Sequence, residues 1–280
     1  MKILEKRNTK AEVLEILLNS GETPVSGERL AENLGISRNA VWKAVTALKE
    51  EGYNISAKRN SGYILNKSNV LSVIEIKKHL NNPKIADSIE IHRLVSSTNN
   101  VAKEYALNDK TTDVRIFISE EQSGGKGRRG RSFYSPPGSG IYISFLFHPQ
   151  IKAVDAVRLT TVTSVAVSKA IEKSTGLEPQ IKWVNDVFYQ EKKICGILTE
   201  AISDFESNTV QHVIIGIGIN LYPNEVPENL KDVIGFLDCK KGYKNHLIAE
   251  ITNELMLFEK NNHHFMEELS LIHISEPTRH

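Results

Sequence analysis

Four segments of this 280-residue chain hold residue types that can do chemistry. The first is Gln122-Ser123-Gly124-Gly125-Lys126-Gly127-Arg128-Arg129-Gly130-Arg131, with four glycines interspersed among four cations. Glycines expose backbone N–H groups and allow close approach, so such a loop can hold a phosphate or carboxylate by charge-assisted hydrogen bonds. The same composition fits a flexible basic loop that meets nucleic acid nonspecifically, and both readings stay open here. It is not a Walker A loop, because the Gly-Lys-Ser/Thr ending is missing. The second segment, Lys182-Trp183-Val184-Asn185-Asp186, joins a cation, an aromatic, an amide and a carboxylate. Its default reading is a turn; its other reading is a set of ligands for Mg²⁺ or a ribose hydroxyl. In the third, Lys192–Leu198, Lys193 enters an apolar strand, either as a site cation or as an exposed edge charge. Gly196 there leaves room for a ligand against the backbone. The fourth, Ile215-Gly216-Ile217-Gly218-Ile219-Asn220, places two glycines in an apolar strand, which suits close approach by something flat. It lacks the third glycine and following helix of a dinucleotide fingerprint.

These segments need a scaffold. Strands are expected at Ile89–Leu94, Val114–Ser119, Ile141–Phe147, Ile194–Ala201 and Val210–Ile217, and helices at Asn99–Asn108, Ala153–Gly176 and Lys244–Lys260. Gln190-Glu191-Lys192 reads as a hairpin turn. The short spacings there favour antiparallel pairing, hence an α+β unit rather than a regular βαβ repeat.

Residues 1–67 differ in character. They carry 11 Lys+Arg against 8 Asp+Glu, whereas the rest carry 24 against 26, so a net +1 averages a basic unit with a slightly acidic one. Residues 9–20 read as a helix, and a second runs from Ser26 to Leu34. Gly35-Ile36-Ser37 makes a tight connection, with Gly35 able to take positive φ and Ser37 able to cap a third helix. In that third helix Val41, Ala44, Val45 and Leu48 face inward, opposite Arg38, Asn39, Lys43 and Thr46. Two short strands, 52–56 and 61–65, then bracket the basic tip Lys58-Arg59-Asn60. The pattern is a winged helix-turn-helix for DNA, with Ser37, Arg38, Asn39, Lys43 and Thr46 facing the major groove and Lys58 and Arg59 reaching phosphates or the minor groove. Its other reading is a helical bundle with a solvated charged face, against which the short turn, the capping serine and the hairpin coincide. Trp42 is expected to pack at the edge of the core rather than to touch DNA. Residues 68–82 read as a helical connector, with the second unit beginning near Pro83.

The composition is that of a globular protein: 40% hydrophobic, 25% charged, 17 Gly and 9 Pro. No apolar run reaches the ~18–20 residues of a membrane span. The charged start does not read as a signal peptide, and two cysteines, Cys195 and Cys239, suit a reducing compartment. A cytoplasmic location is expected.

The order of the motifs is more specific than any one of them. Ser97-Thr98-Asn99, the Gly/Arg loop, Lys-Trp-x-Asn-Asp, Lys-x-x-Gly-Ile-Leu and Gly-x-Gly-x-Asn together closely resemble the biotin–protein ligases. With the winged helix in front, the chain resembles their bifunctional subclass, which also represses biotin-synthesis genes. The resemblance covers roughly residues 5–265. Lys126 stands where the family often has Arg, Val184 where it has Pro, and Phe133 where it has Trp.

That resemblance implies a winged helix at 1–67, the connector at 68–82, and a catalytic domain at 83–268 similar to class II aminoacyl-tRNA synthetases. It implies an ATP- and Mg²⁺-dependent reaction that makes biotinyl-5′-AMP and transfers biotin to a lysine of a biotin carboxyl carrier protein, that of acetyl-CoA carboxylase or a related biotin enzyme. Biotinyl-AMP is then the corepressor, promoting a homodimer on operator DNA. Lys193, Arg128, Arg131 and Asp186 take the catalytic roles. Ser97, Thr98, Asn99 and Gln122 hold the ureido ring. Gly125, Lys126, Gly127 and Arg129 complete the anion loop. Gly196, Ile197 and Leu198 line the valeryl tunnel, Asn185 and Asn220 face ATP, and Gly216 and Gly218 belong to the cofactor-binding set. The resemblance also implies a small C-terminal β-barrel. Residues 269–280 match nothing in it, and a chain without the barrel is expected to sense biotin or its adenylate on DNA with impaired transfer.

Overall fold

The computed structural model describes residues 8–58, 61–108, 113–149, 151–182, 185–204 and 209–260. Arg59, Asn60, Trp183, Val184 and residues 269–280 lie outside the described residues.

The N-terminal unit comprises α1 (Thr9–Ser20), α2 (Gly27–Leu34) and α3 (Arg38–Glu50), followed by β1 (Ile55–Lys58) and β2 (Gly62–Leu65). Local chemistry sets its boundaries. Ser26 Oγ accepts from Arg29 N at 3.0 Å and Ser37 Oγ accepts from Ala40 N at 3.1 Å, which satisfies backbone donors the helix starts would otherwise orphan. Gly35 ends α2 at φ 60°, ψ 40°, the left-handed geometry that a Cβ penalises. Val13, Leu17, Leu30, Val41, Val45 and Leu48 close the core, each buried leucine contributing about 2 kcal/mol. Val25 and Tyr63 exchange backbone hydrogen bonds, so the β1–β2 hairpin is tied back to the start of α2.

The expected connector is helical over a shorter stretch, α4 (Val73–His79). Residues 68–72 are irregular, Leu80 leaves the helix in extended backbone, and a 3₁₀ turn spans Pro83–Ser88. Side chains of a later helix account for this. Asn245 Oδ1 accepts from Ser72 N (3.0 Å), Asn245 Nδ2 donates to Val70 O (2.8 Å), and Asn253 joins Asn81 N and His79 O. These amides satisfy the backbone groups that a longer helix would have paired internally.

The second unit adds β3 (Ile89–Val95), α5 (Thr98–Asn108), β4 (Arg115–Gln122), β5 (Gly140–Phe147), β6 (Ile151–Lys152), α6 (Ala153–Thr175), β7 (Gln180–Lys182), β8 (Asp186–Tyr189), β9 (Lys192–Asp204), β10 (Thr209–Asn220) and α7 (Tyr243–Lys260). The sheet order is β3-β4-β5-β10-β9-β8-β7, with β6 also on β10. Pairing is antiparallel except between β3 and β4, which are parallel and joined through α5. Among the described residues the unit is thus α+β with one βαβ crossover.

Strand alternation divides the sheet's faces. Val213, Ile215, Ile217 and Ile219 of β10 pack into the main core with α6 and α7. Ile214, offset by one residue, packs with Phe117, Leu146, Ala102 and Ala106 beneath α5. Gly216 and Gly218 share Ile214's parity, so β10 turns them toward the α5 face. No helix among the described residues is long and apolar enough to cross a membrane.

Candidate functional site

The α5 face of the sheet opens into a small cavity of about 50 Å³. Ser97, Thr98, Asn99, Gln122, Lys126, Gly127, Arg128, Asn185, Lys193, Gly196, Ile197, Leu198, Gly216 and Gly218 all line it, together with Phe133 and Ile217. Residues spread over more than a hundred positions therefore meet in one place, through sheet pairing: Gly216 lies opposite Ser144 on one side and Leu198 on the other.

One end of the cavity is a buried polar network. Asn99 Nδ2 donates to Glu200 Oε2 (2.7 Å), and Ser144 Oγ donates to Asn99 Oδ1 (2.6 Å). Gln122 Oε1 accepts from Thr98 N (2.8 Å), and Gln122 Nε2 donates to Ser135 Oγ (2.9 Å). Each amide is held on both sides, so donors and acceptors are fixed in place for a polar ring. The glycine pair makes this possible. A Cβ on Gly216 would lie 2.1 Å from Asn99 Oδ1, and one on Gly218 would lie 2.5 Å from the Phe133 ring. The flat group against this strand is thus, in part, the protein's own Phe133.

The other end is charged. Arg128 Nη1 donates to Asn185 Oδ1 (2.9 Å), Asn185 Nδ2 to Asp186 Oδ1 (2.8 Å), and Lys193 Nζ pairs with Asp186 Oδ1 (2.7 Å). Asn185 is also fixed by Ile197, through N–H to Asn185 O (3.0 Å) and Nδ2 to Ile197 O (3.2 Å). The turn into Lys193 uses Gln190 and Glu191 at positive φ, 48° and 61°, matching the twist of a tight hairpin. Cys195, fully buried beside Lys193, has its thiol pushed well up by burial and faces the core rather than the cavity.

The Gly/Arg loop closes on itself. Phe133 N bonds Gly125 O (2.8 Å) and Gly127 N bonds Arg131 O (2.7 Å), leaving Arg128–Gly130 as a single 3₁₀ turn with Arg129 at φ 57°. Gly125 packs against the returning chain, where a Cβ would lie 2.4 Å from Phe133 O and 2.5 Å from Ser135 Oγ. Arg129 and Arg131 are exposed and do not line the cavity. Lys126 Nζ donates to Asn100 Oδ1 at 2.5 Å, toward α5. Asp186 and Asn220 stand just behind the lining, Asn220 through Nδ2 to Lys193 O (3.3 Å). No group of three or more His, Cys, Asp or Glu side chains gathers for a metal ion among the described residues.

Sequence reasoning missed Glu200, Ser144 and Ser135 as partners of the site. Strand alternation offered one signal, since Glu200 shares the parity of Gly196 and Leu198.

On the N-terminal unit, Arg38, Asn39 and Lys43 are exposed on α3, and Lys58 is exposed at the end of β1. Ser37 uses its hydroxyl as the cap, and Thr46 Oγ1 donates to Trp42 O (2.9 Å). Arg59 is outside the described residues. Trp42 does not pack at the core edge as expected: it is 56% exposed. The inward positions of α3 are filled by Val41, Ala44, Val45 and Leu48, which leaves no place for an indole beside them.

Residues 91–220 match the biotin/lipoate A/B protein ligase family, and residues 9–64 match an HTH domain. The chain is 35% identical to the bifunctional ligase/repressor BirA of Bacillus subtilis over 92% of its own length and 79% of that protein's. It is 29% identical to the bifunctional ligase/repressor BirA of Escherichia coli, over 91% and 79% respectively. Among solved structures it is similar to the biotin protein ligase from Aquifex aeolicus in complex with biotin and ATP, with 29% identity, a TM-score of 0.56, and coverage of 66% of this chain and 76% of that one. The catalytic unit accordingly has the class II aminoacyl-tRNA synthetase-like fold.

Proposed function

The chain belongs to the family of bifunctional biotin ligase/repressors, and from that membership we propose that it joins biotin to ATP at this cavity, passes the biotin to a carrier-protein lysine, and represses transcription in response to biotin. The observation that carries the reading is the cavity's two-ended chemistry: a fixed amide network beside an Arg–Asn–Asp–Lys chain.

A carboxylate is a poor acyl donor. In the first step its oxygen attacks the α-phosphorus of ATP, a P–O bond forms, and pyrophosphate leaves with the electron pair. Two anions must approach, so cations placed before the reaction lower the barrier more than groups that must reorganise. Arg128 and Lys193 supply them. Asn185 and Asp186 hold both cations in register through hydrogen bonds, and Asp186 positions Lys193 rather than touching the reacting atoms. Mg²⁺ enters as part of the nucleotide substrate. Asn99, Thr98 and Gln122 present polar atoms to the ureido ring, and Gly196, Ile197 and Leu198 flank the valeryl chain. Asn220 orients the strand entry that carries Lys193.

In the second step a neutral lysine amine attacks the acyl carbon and AMP leaves. A pocket lined by cations favours loss of the incoming lysine's proton. The carrier is a biotin carboxyl carrier protein, and the setting is the cytoplasm. Residues 1–67 form the DNA-binding unit, and residues 83–268 belong to the ligase unit. Adenylate binding promotes a homodimer that sets two winged helices on an operator, which couples ligand, association and DNA affinity.

Incubation with biotin, α-labelled ATP and Mg²⁺ tests the first step. Labelled biotinyl-AMP retained by the protein is the expected product. A folded chain that forms none loses the enzymatic assignment.

A further inference from the structure

We propose that Trp42 reads thymine methyl groups in the major groove, acting as the apolar specificity residue of α3. The proposal rests on the DNA-binding reading above and adds a chemistry to it. Trp42 is 56% exposed, among the largest apolar side chains left in water by the described residues. Leaving that much of an indole in water forgoes a substantial part of its burial energy. Its surroundings on the helix are polar. Arg38 lies one turn before it, Asn39 three residues before it, Lys43 beside it and Thr46 one turn after it, so these residues share or border one face. Val41, Ala44, Val45 and Leu48 occupy the inward side and are buried, with Val45 bordering Trp42 one turn on.

This arrangement separates two kinds of reader. Arg38 and Asn39 offer the donors and acceptors that suit guanine and adenine edges. Lys43 offers a point charge for phosphate. Thr46 turns its hydroxyl back to Trp42 O and so withdraws a polar reader from that turn. What remains at the centre of the face is a flat apolar surface. The apolar group that a base pair displays in the major groove is the thymine 5-methyl. The cations flanking Trp42 match the charge of DNA and bring the indole to the groove.

The test uses the full chain with biotin, ATP and Mg²⁺. A duplex is selected from a random pool, and each thymine in it is then replaced singly by deoxyuridine, which removes one methyl. Wild-type affinity should fall about threefold to tenfold at one or two positions in each half-site, the scale of one lost methyl contact. Trp42→Ala should bind more weakly and show no change at those positions. Its salt dependence and its adenylate yield should match wild type. Equal deoxyuridine sensitivity in both proteins overturns the proposal and leaves DNA binding intact. A Trp42→Ala effect confined to the salt slope also overturns it, in favour of a backbone contact. Failure of the wild type to select any duplex overturns the DNA-binding reading and this inference with it.

Discussion

Asn99 stands where only a glycine at position 216 permits it: a methyl on Gly216 would fall 2.1 Å from Asn99 Oδ1. That oxygen is already engaged by Ser144 Oγ at 2.6 Å, and the amide nitrogen by Glu200 at 2.7 Å. Gly216→Ala should therefore displace Asn99 and break a buried network, costing about 1–3 kcal/mol and lowering adenylate formation about a hundredfold. Asn99→Ala in the same chain removes the clash. The double variant should lose the clash but not regain the network, so its melting temperature should match that of Asn99→Ala alone and its biotin affinity should stay low. A Gly216→Ala protein with wild-type melting and wild-type biotin affinity would show that Asn99 yields freely.

The relay Arg128–Asn185–Asp186–Lys193 makes a separate forecast. Lys193→Ala and Arg128→Ala should each reduce the rate of adenylate formation by about 10²–10³, the scale of losing one fixed group at developing charge. Lys193 and Asp186 side chains are 24% and 29% exposed, so their ion pair should add no more than about 1 kcal/mol to stability. Rate and melting temperature should therefore separate, the first falling and the second holding. Single-turnover assays with labelled ATP beside thermal melts measure both. Unchanged rates in both variants would refute the role given to these cations.

Local chemistry made the N-terminal unit legible. Ser26, Gly35 and Ser37 cap or end helices within a few residues of themselves, and the helix bounds come directly from them. The site was legible as residue types but not as a place. Gly216, Ser144 and Leu198 are neighbours only because β10 pairs with β5 and β9 in one register, and no short window of sequence encodes that pairing. The same reason hid Glu200. The shortened α4 was illegible because Asn245 and Asn253, more than 170 positions away, take its backbone hydrogen bonds. Trp42 misled because apolar periodicity assigns aromatics to cores, while this helix had already filled its inward positions.

The join between α4 and α7 should titrate. Burial raises the Glu75 carboxyl above its ordinary 4.5, and this outweighs the opposing hydrogen bond from Asn245 and the charge of Lys78. Between 4.5 and the raised value the folded protein holds a proton that the unfolded chain has released. Stability from this group is thus fully present below about pH 4.5 and is lost as pH rises through the folded value. Glu75→Gln keeps an acceptor for Asn245 Nδ2, now 2.6 Å from Glu75 Oε2, and removes the buried charge. The variant should have a higher urea midpoint than wild type at pH 7.5, and the gap should close toward pH 4.5. A gap independent of pH, or a less stable variant at pH 7.5, would reverse the assignment.

Lys43 and Trp42 are neighbours in sequence and should fail in different ways. An exposed lysine on α3 that meets a phosphate contributes counterion release, which is blind to sequence. Lys43→Ala should weaken binding to selected and random duplexes alike and reduce the slope of log affinity against log salt by about 0.9. Adenylate formation should be untouched, since Lys43 belongs to the N-terminal unit and the cavity is built from β9, β10, α5 and the Gly/Arg loop. Titrations at several salt concentrations, with the adenylation assay run on the same preparation, decide the matter. Loss of adenylation in Lys43→Ala would mean that α3 and the cavity are not separable. An unchanged salt slope would mean that Lys43 faces water in the complex, and that the groove-facing side of α3 is rotated away from it.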